Sequence, residues 1–165
     1  MQSLPRKIRV SIAAQRLDLL EISSEGDERV RASFPVSTSG FGVGSEPGSN
    51  RTPVGQFVVG EKIGEGAPLG MAFVSREPTG EIAALESPDD PRDLVLTRIL
   101  WLEGLEPHNA NTHERYIYIH GTNHEERLGE PCSHGCVRMR NADVVELFAN
   151  VEPGTPVTIE ESPTA

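Results

Sequence analysis

The sequence predicts a mainly β, single-domain fold with one helix near its C-terminal end. Three observations carry this. With 16 Gly and 13 Pro among 165 residues, the chain is punctuated too often for long helices and suits many short strands. Apolar and polar residues alternate with period two in several segments. Only Asn141 to Val151 sets its apolar residues at helical spacing. At 17.9 kDa the chain is long enough for one core and short for two ordinary domains, so residues 1–165 are expected to form one domain with its core at about 8–160.

The elements follow in order. Ile8, Val10 and Ile12 alternate with Lys7, Arg9 and Ser11, and Leu17 to Ile22 offers a partner strand, so the chain opens on a hairpin. Val30 to Thr38 reads as a third strand. Ser39 to Asn50, rich in Gly and small polar residues, reads as a mobile loop; its Gly40-Phe41-Gly42-Val43-Gly44 lacks the lysine of a phosphate-binding loop. Thr52-Pro53-Val54-Gly55 turns into a strand at Gln56 to Val59, and Met71 to Arg76, Leu94 to Leu102 and Arg115 to His120 are further strands. The acidic, Pro-interrupted stretch from Glu77 to Asp93 reads as a long loop. In the helix, Asn141 is expected to cap, Asp143 suits the first turn, and Val144, Val145, Leu147 and Phe148 form the apolar face. Pro153-Gly154 ends it, and Pro156 to Glu160 makes a last strand. Trp101, within a strand, is expected in the core.

A formal charge of −10 excludes a nucleic-acid partner bound through clustered cations. No apolar run is long enough to span a bilayer, and the N-terminus has no signal-peptide pattern. Cys132 and Cys136 are too close in sequence to staple distant parts of the fold.

Chemistry concentrates in Ile119-His120-Gly121-Thr122-Asn123 and Ser133-His134-Gly135-Cys136-Val137-Arg138. His120 falls at a strand end, on the face of Tyr116 and Tyr118 by alternation. Cys136 lies shortly before the helix, whose positive end is expected to favour a thiolate if it points at the sulfur. Together the segments supply a nucleophile, a base and a carboxylate-binding cation, Arg138. The spacings of His120, His124, His134, Cys132 and Cys136 match no compact zinc pattern, so no metal and no cofactor is expected. His108, His113 and His124 are read as solvated.

These blocks, with Phe34-Pro35-Val36-Ser37-Thr38 and Thr52-Pro53-Val54-Gly55-Gln56-Phe57 upstream, resemble the L,D-transpeptidase (YkuD) catalytic domain family from about Ile8 to Ile159. The resemblance implies a β-sandwich-like fold with one helix after the cysteine loop and a cysteine acyltransferase acting on peptidoglycan stem peptides. It assigns Cys136 as nucleophile, His120 as general base and the Gly121 carbonyl as the group that orients the imidazole. The amides of Gly135 and Cys136 become oxyanion donors, His134 lines the pocket, Ser133 holds the loop and Arg138 grips a substrate carboxylate. Carbapenem-type inhibitors are expected to acylate Cys136. A stem amine, a protein amine or water is left open as acceptor, the last giving an L,D-carboxypeptidase. The competing reading is a catalytically idle peptidoglycan-binding module. The family's substrate implies the periplasm or cell envelope, while the missing export signal leaves a cytoplasmic role on recycled muropeptides open.

Overall fold

The computed structural model describes residues 4–161. Its strands are β1 (Arg6–Ser11), β2 (Arg16–Ile22), β3 (Glu28–Ser37), β4 (Gly55–Ile63), β5 (Met71–Val74), β6 (Glu77–Ile82), β7 (Val95–Gly104), β8 (Tyr118–Gly121), β9 (Val137–Met139) and β10 (Pro156–Glu160), with helix α1 (Asn141–Asn150) between the last two. They form one mixed sheet in the order β4-β10-β1-β2-β3-β9-β8-β7, and β4 pairs back onto β7 to close it. The expected mainly β fold with one helix after the cysteine loop therefore takes the form of a closed barrel, which leaves few unpaired edges. The hairpin β5-β6 is attached outside this ring, where β5 pairs with β7 at Val95 and Leu96.

Alternation sorts the side chains. Ile8, Val10, Leu17, Leu19, Ile119, Val137 and Met139 are buried in one cluster with Val144, Leu147 and Phe148 of the helix. Fully burying an aliphatic side chain contributes roughly 1.5–3 kcal/mol, so this cluster sets the plane against which β8 and β9 lie. Residues between those positions point the other way. A second cluster, Phe73, Ile99, Trp101 and Tyr118, covers that face, with Cys136 packed against it. Trp101 is thus a core residue, as its place in a strand predicts.

Three expectations change. Glu77 to Asp93 is not all loop, because Glu77–Ile82 pairs with β5 despite Pro78 and an exposed surface. The strand read from Arg115 begins only at Tyr118: a turn donates Tyr116 N to His113 O at 3.0 Å, and Tyr116 sits at φ 58, so Tyr116 leaves the face that Tyr118 and His120 share. Asn141 does not cap the helix. Arg140 holds that position without a side-chain cap bond, and Asn141 turns inward.

Candidate active site

Strands β8 and β9 run parallel, with His120 paired to Arg138 and Ile119 to Val137. A parallel pair needs a crossover of a dozen residues or more, and residues 122–136 supply it, with a single 3-10 turn at Glu125–Arg127. Paired residues in parallel strands face the same side, so His120 and Arg138 stand together. Two residues back, Cys136 meets Tyr118 across the strands, and the Tyr118 amide donates to Cys136 Sγ at 3.3 Å. The apolar alternates Ile119 and Val137 are in the core, which fixes the register and hence the face on which the polar residues appear.

His120 is buried, 2% exposed, and its Nδ1 lies 2.5 Å from the Gly121 carbonyl oxygen. A carbonyl only accepts, so Nδ1 carries the proton and Nε2 is left with a lone pair. Burial of the ring holds the imidazole below its usual proton affinity, against the opposing pull of the Asp93 charge and the Gly121 carbonyl. Burial also pushes the Cys136 thiol up to about 12, a rise that the hydrogen bond from Tyr118 offsets only in part. The thiol points at Tyr116 O, 3.4 Å away. Both shifts favour the uncharged forms, thiol and imidazole.

The cysteine loop is held from several sides. Ser133 Oγ donates to Cys136 O at 2.6 Å and accepts from Gly135 N at 3.3 Å. Thr52 Oγ1 donates to Gly135 O at 3.0 Å. Gly135 sits at φ 122, where an added Cβ would also meet Arg51 O at 3.3 Å, so glycine is needed for the loop to turn toward the sulfur's neighbourhood. The preceding loop from Ser39 is tied down rather than free, with Arg115 Nη2 on Arg51 O at 2.7 Å and Asn111 Nδ2 on Ser45 O at 2.9 Å. Its Phe41 ring lies 6.0 Å from the exposed His134.

Helix α1 does not aim its N-terminus at the sulfur. β9 intervenes, and the Asn141 amide donates to Glu125 Oε2 at 2.8 Å. Inside, Asn141 Nδ2 donates to Thr122 O at 2.8 Å, and Asn141 Oδ1 accepts from Thr97 Oγ1 at 2.5 Å. Thr97 is fully buried at φ 76, a strained state for a β-branched residue. This network fixes the chain just after Gly121, and through it the carbonyl on which His120 rests.

Asp93 is the residue that sequence reading passed over, since nothing separates it from the acids before it. Its Oδ1 lies 3.0 Å from Arg138 Nη2 and its Oδ2 3.0 Å from His134 Nδ1. Burial raises the Asp93 carboxyl, but the nearby charges of His120 and Arg138 and the hydrogen bonds from His134 and Arg138 outweigh it and hold it below the usual range. Arg138 is 3% exposed, and a substrate carboxylate would have to compete with Asp93 for it. Asp93, Arg138, His134 and Cys132 line a cavity of about 530 Å³ beside the site, together with His124 and Arg127.

Cys132 and Cys136 are both free thiols. Cys132 Sγ sits 3.1 Å from Ser37 Oγ and 3.5 Å from Arg138 Nη1, a different environment from that of Cys136. His124 is buried rather than solvated, with Nε2 2.9 Å from Arg92 O. His113 stacks on Trp101 with ring centroids 3.8 Å apart. Among the described residues, no group of three or more His, Cys, Asp or Glu side chains is placed to hold a metal ion, and no helix is long and apolar enough to cross a membrane.

The chain is 28% identical over 158 residues to the Bacillus subtilis protein named "Putative L,D-transpeptidase YkuD", covering 95% of this chain and 67% of the relative. Among solved structures it is similar to L,D-transpeptidase 3 from Mycobacterium tuberculosis in complex with a faropenem-derived adduct, at TM-score 0.56 and 21% identity over 94% of this chain and 60% of that one. It is also similar to the L,D-transpeptidase LdtMt1 in complex with imipenem, at TM-score 0.55 and 18% identity over 94% and 58% of the two chains. At such identities the structural likeness is one of fold, and this chain spans about three fifths of those two. The family model of the L,D-transpeptidase catalytic domain, YkuD, matches residues 5–159, and the chain belongs to that family.

Proposed function

We propose that the chain is a cysteine L,D-transpeptidase that acts on peptidoglycan stem tetrapeptides at the cell envelope. The observation that carries this is the bond from His120 Nδ1 to the Gly121 carbonyl, 2.5 Å long, two residues along β8 from Tyr118, whose amide holds the Cys136 sulfur. A buried imidazole fixed in this tautomer presents Nε2 as a base without an acidic partner bonded to the ring.

In the first half-reaction Cys136 gives its proton to His120 Nε2 as sulfur attacks the carbonyl of the third stem residue. The Cys136 amide donates to the oxyanion, joined by Gly135 N as it gives up its 3.3 Å bond to Ser133 Oγ. Collapse breaks the C–N bond, and the imidazolium returns the proton to the departing D-alanine amine, leaving a thioester on Cys136. An acceptor amine then attacks the thioester, His120 takes its proton, and the thiol is restored. Arg138 and His134 border the substrate, with Asp93 holding both. If water replaces the amine, the same steps give an L,D-carboxypeptidase.

The neutral resting pair fits this order of events. Proton transfer accompanies attack, so the half-buried sulfur never needs to carry its charge unassisted. The relatives solved with imipenem and with a faropenem-derived adduct suggest the test. Incubation with imipenem should add one acyl mass to the intact chain and none to Cys136→Ala. No adduct on a folded chain would favour an idle binding module.

A further inference from the structure

We propose that Arg76, at the tip of the β5-β6 hairpin, is the group that receives the C-terminal carboxylate of the acyl donor; this rests on the transpeptidase reading above. Four observations support it.

The first is the turn itself. β5 ends at Val74 and β6 begins at Glu77, so the hairpin turns on Ser75 and Arg76, with φ of 50 and 65. Two-residue hairpin turns of this kind favour Asn-Gly, because both positions are left-handed. Here a long cation occupies the second position, where glycine would be relaxed. Such strain persists where surrounding contacts over-determine it, and it marks functional sites more often than chance.

The second is what those contacts are. The guanidinium carbon lies 4.8 Å from the centre of the Trp101 ring and 5.3 Å from that of Tyr116, and Nη1 is 3.4 Å from the Tyr118 hydroxyl. Stacking on aromatic faces orients the plane of an arginine while leaving its edge N–H groups to bind. Tyr116 is itself 54% exposed and held at φ 58, so the platform opens to solvent.

The third is the lack of a carboxylate partner. In a chain with 25 acidic residues, no carboxylate lies within ion-pair distance of Arg76 among the described residues, a state it shares with Arg51, Arg98, Arg115 and Arg127 but not with Arg138. Glu61 acts on it only at longer range. Arg138, the cation the motif suggests, is by contrast buried and already paired with Asp93.

The fourth is position. Tyr118 links the two centres: its hydroxyl meets Arg76, and its amide donates to Cys136 Sγ at 3.3 Å. Sulfur and guanidinium are thus one tyrosine side chain apart. In this assignment the carbonyl under attack and one departing residue lie along that side chain, with the departing carboxylate at the edge of Arg76.

The test uses the full chain and two acyl donors, a disaccharide tetrapeptide with a free C-terminal carboxylate and the same compound as its C-terminal amide. Binding of both is measured by calorimetry in the Cys136→Ala background, with and without Arg76→Gln, and kcat/KM for D-alanine or D-alaninamide release in the Cys136 background. Losing a charge-assisted hydrogen bond of this type corresponds to roughly 10- to 100-fold. Arg76→Gln should cost the acid that much more than it costs the amide in both assays, and Arg76→Lys should recover part of the preference. An acid-to-amide ratio unchanged by Arg76→Gln overturns the assignment, in binding even if no turnover occurs. Failure of the wild type to release either product, with the binding preference intact and sensitive to Arg76, overturns the transpeptidase reading instead.

Discussion

Asp93 and Arg138 face each other at 3.0 Å across the rim of the site, and the carboxylate that binds the arginine also binds His134 at 3.0 Å. Because Arg138 is paired with His120 across β8 and β9, this ion pair sets the electrostatic surroundings of the His120 imidazole.

Asp93→Asn should therefore act twice. It strands a buried guanidinium, at a cost of about 3 kcal/mol in urea unfolding, the low end for such pairs because a quarter of the Asp93 side chain is exposed. The depressed carboxyl contributes stability that is present above its unfolded value of 3.8 and lost as pH falls from there toward its folded value. The variant should lack that acid-side loss. Asp93 also raises the proton affinity of His120, so the acid limb of kcat/KM should move to lower pH in the variant. An unmoved limb would remove Asp93 from the chemistry.

Cys136 should show no preformed thiolate. With the thiol pushed up to about 12 by burial, the rate of iodoacetamide labelling should climb about tenfold per pH unit from pH 6 to 9. A plateau below pH 8 would contradict the neutral resting pair.

Much of this was legible in the sequence, for physical reasons that also mark where legibility ended. Period-two alternation locates β1 because one of its faces lies in the core, the apolar stretches at Leu17 to Ile22 and Val30 to Thr38 read as its neighbours, and the spacing of Val144, Leu147 and Phe148 locates the helix. His120, Gly121 and the Ser133–Arg138 block stood out because their chemistry depends on local sequence. β6 was missed because it is exposed throughout and has no apolar face to read. The sequence suggests a cap at Asn141 because the pull inward depends on Thr97 and Thr122, which only the folded sheet brings near. Asp93 and Arg76 are not legible for the same reason: an acid in an acidic stretch, and an arginine that the sequence places at a strand end rather than in the turn after Val74, gain meaning from what they touch.

Asn141→Ala should uncouple the base from its support. It removes the buried side-chain partner of Thr97 Oγ1 and Thr122 O and one of the two bonds to Glu125 Oε2, at about 1–3 kcal/mol of stability. Gly121→Ala should act alike, since its Cβ would collide with Asn141 Oδ1 and approach Leu96 O to 2.8 Å. In both, kcat should fall on the order of tenfold or more with KM nearly unchanged. A loss confined to KM would argue against a positioning role.

Cys132→Ser should leave D-alanine release within about twofold, since its sulfur contacts Ser37 and Arg138 rather than Cys136. Mild oxidation should inactivate wild type and variant equally. Protection of the variant alone would instead reveal a disulfide between Cys132 and Cys136.

The most direct measurement is incubation of the full chain with a disaccharide tetrapeptide, following D-alanine release and the mass of the intact protein. The expected result is release of D-alanine with a transient tripeptide thioester on Cys136, both lost in Cys136→Ala and in His120→Ala. A folded wild-type chain that releases no D-alanine, or a Cys136→Ala variant that still releases it, would contradict the proposed chemistry.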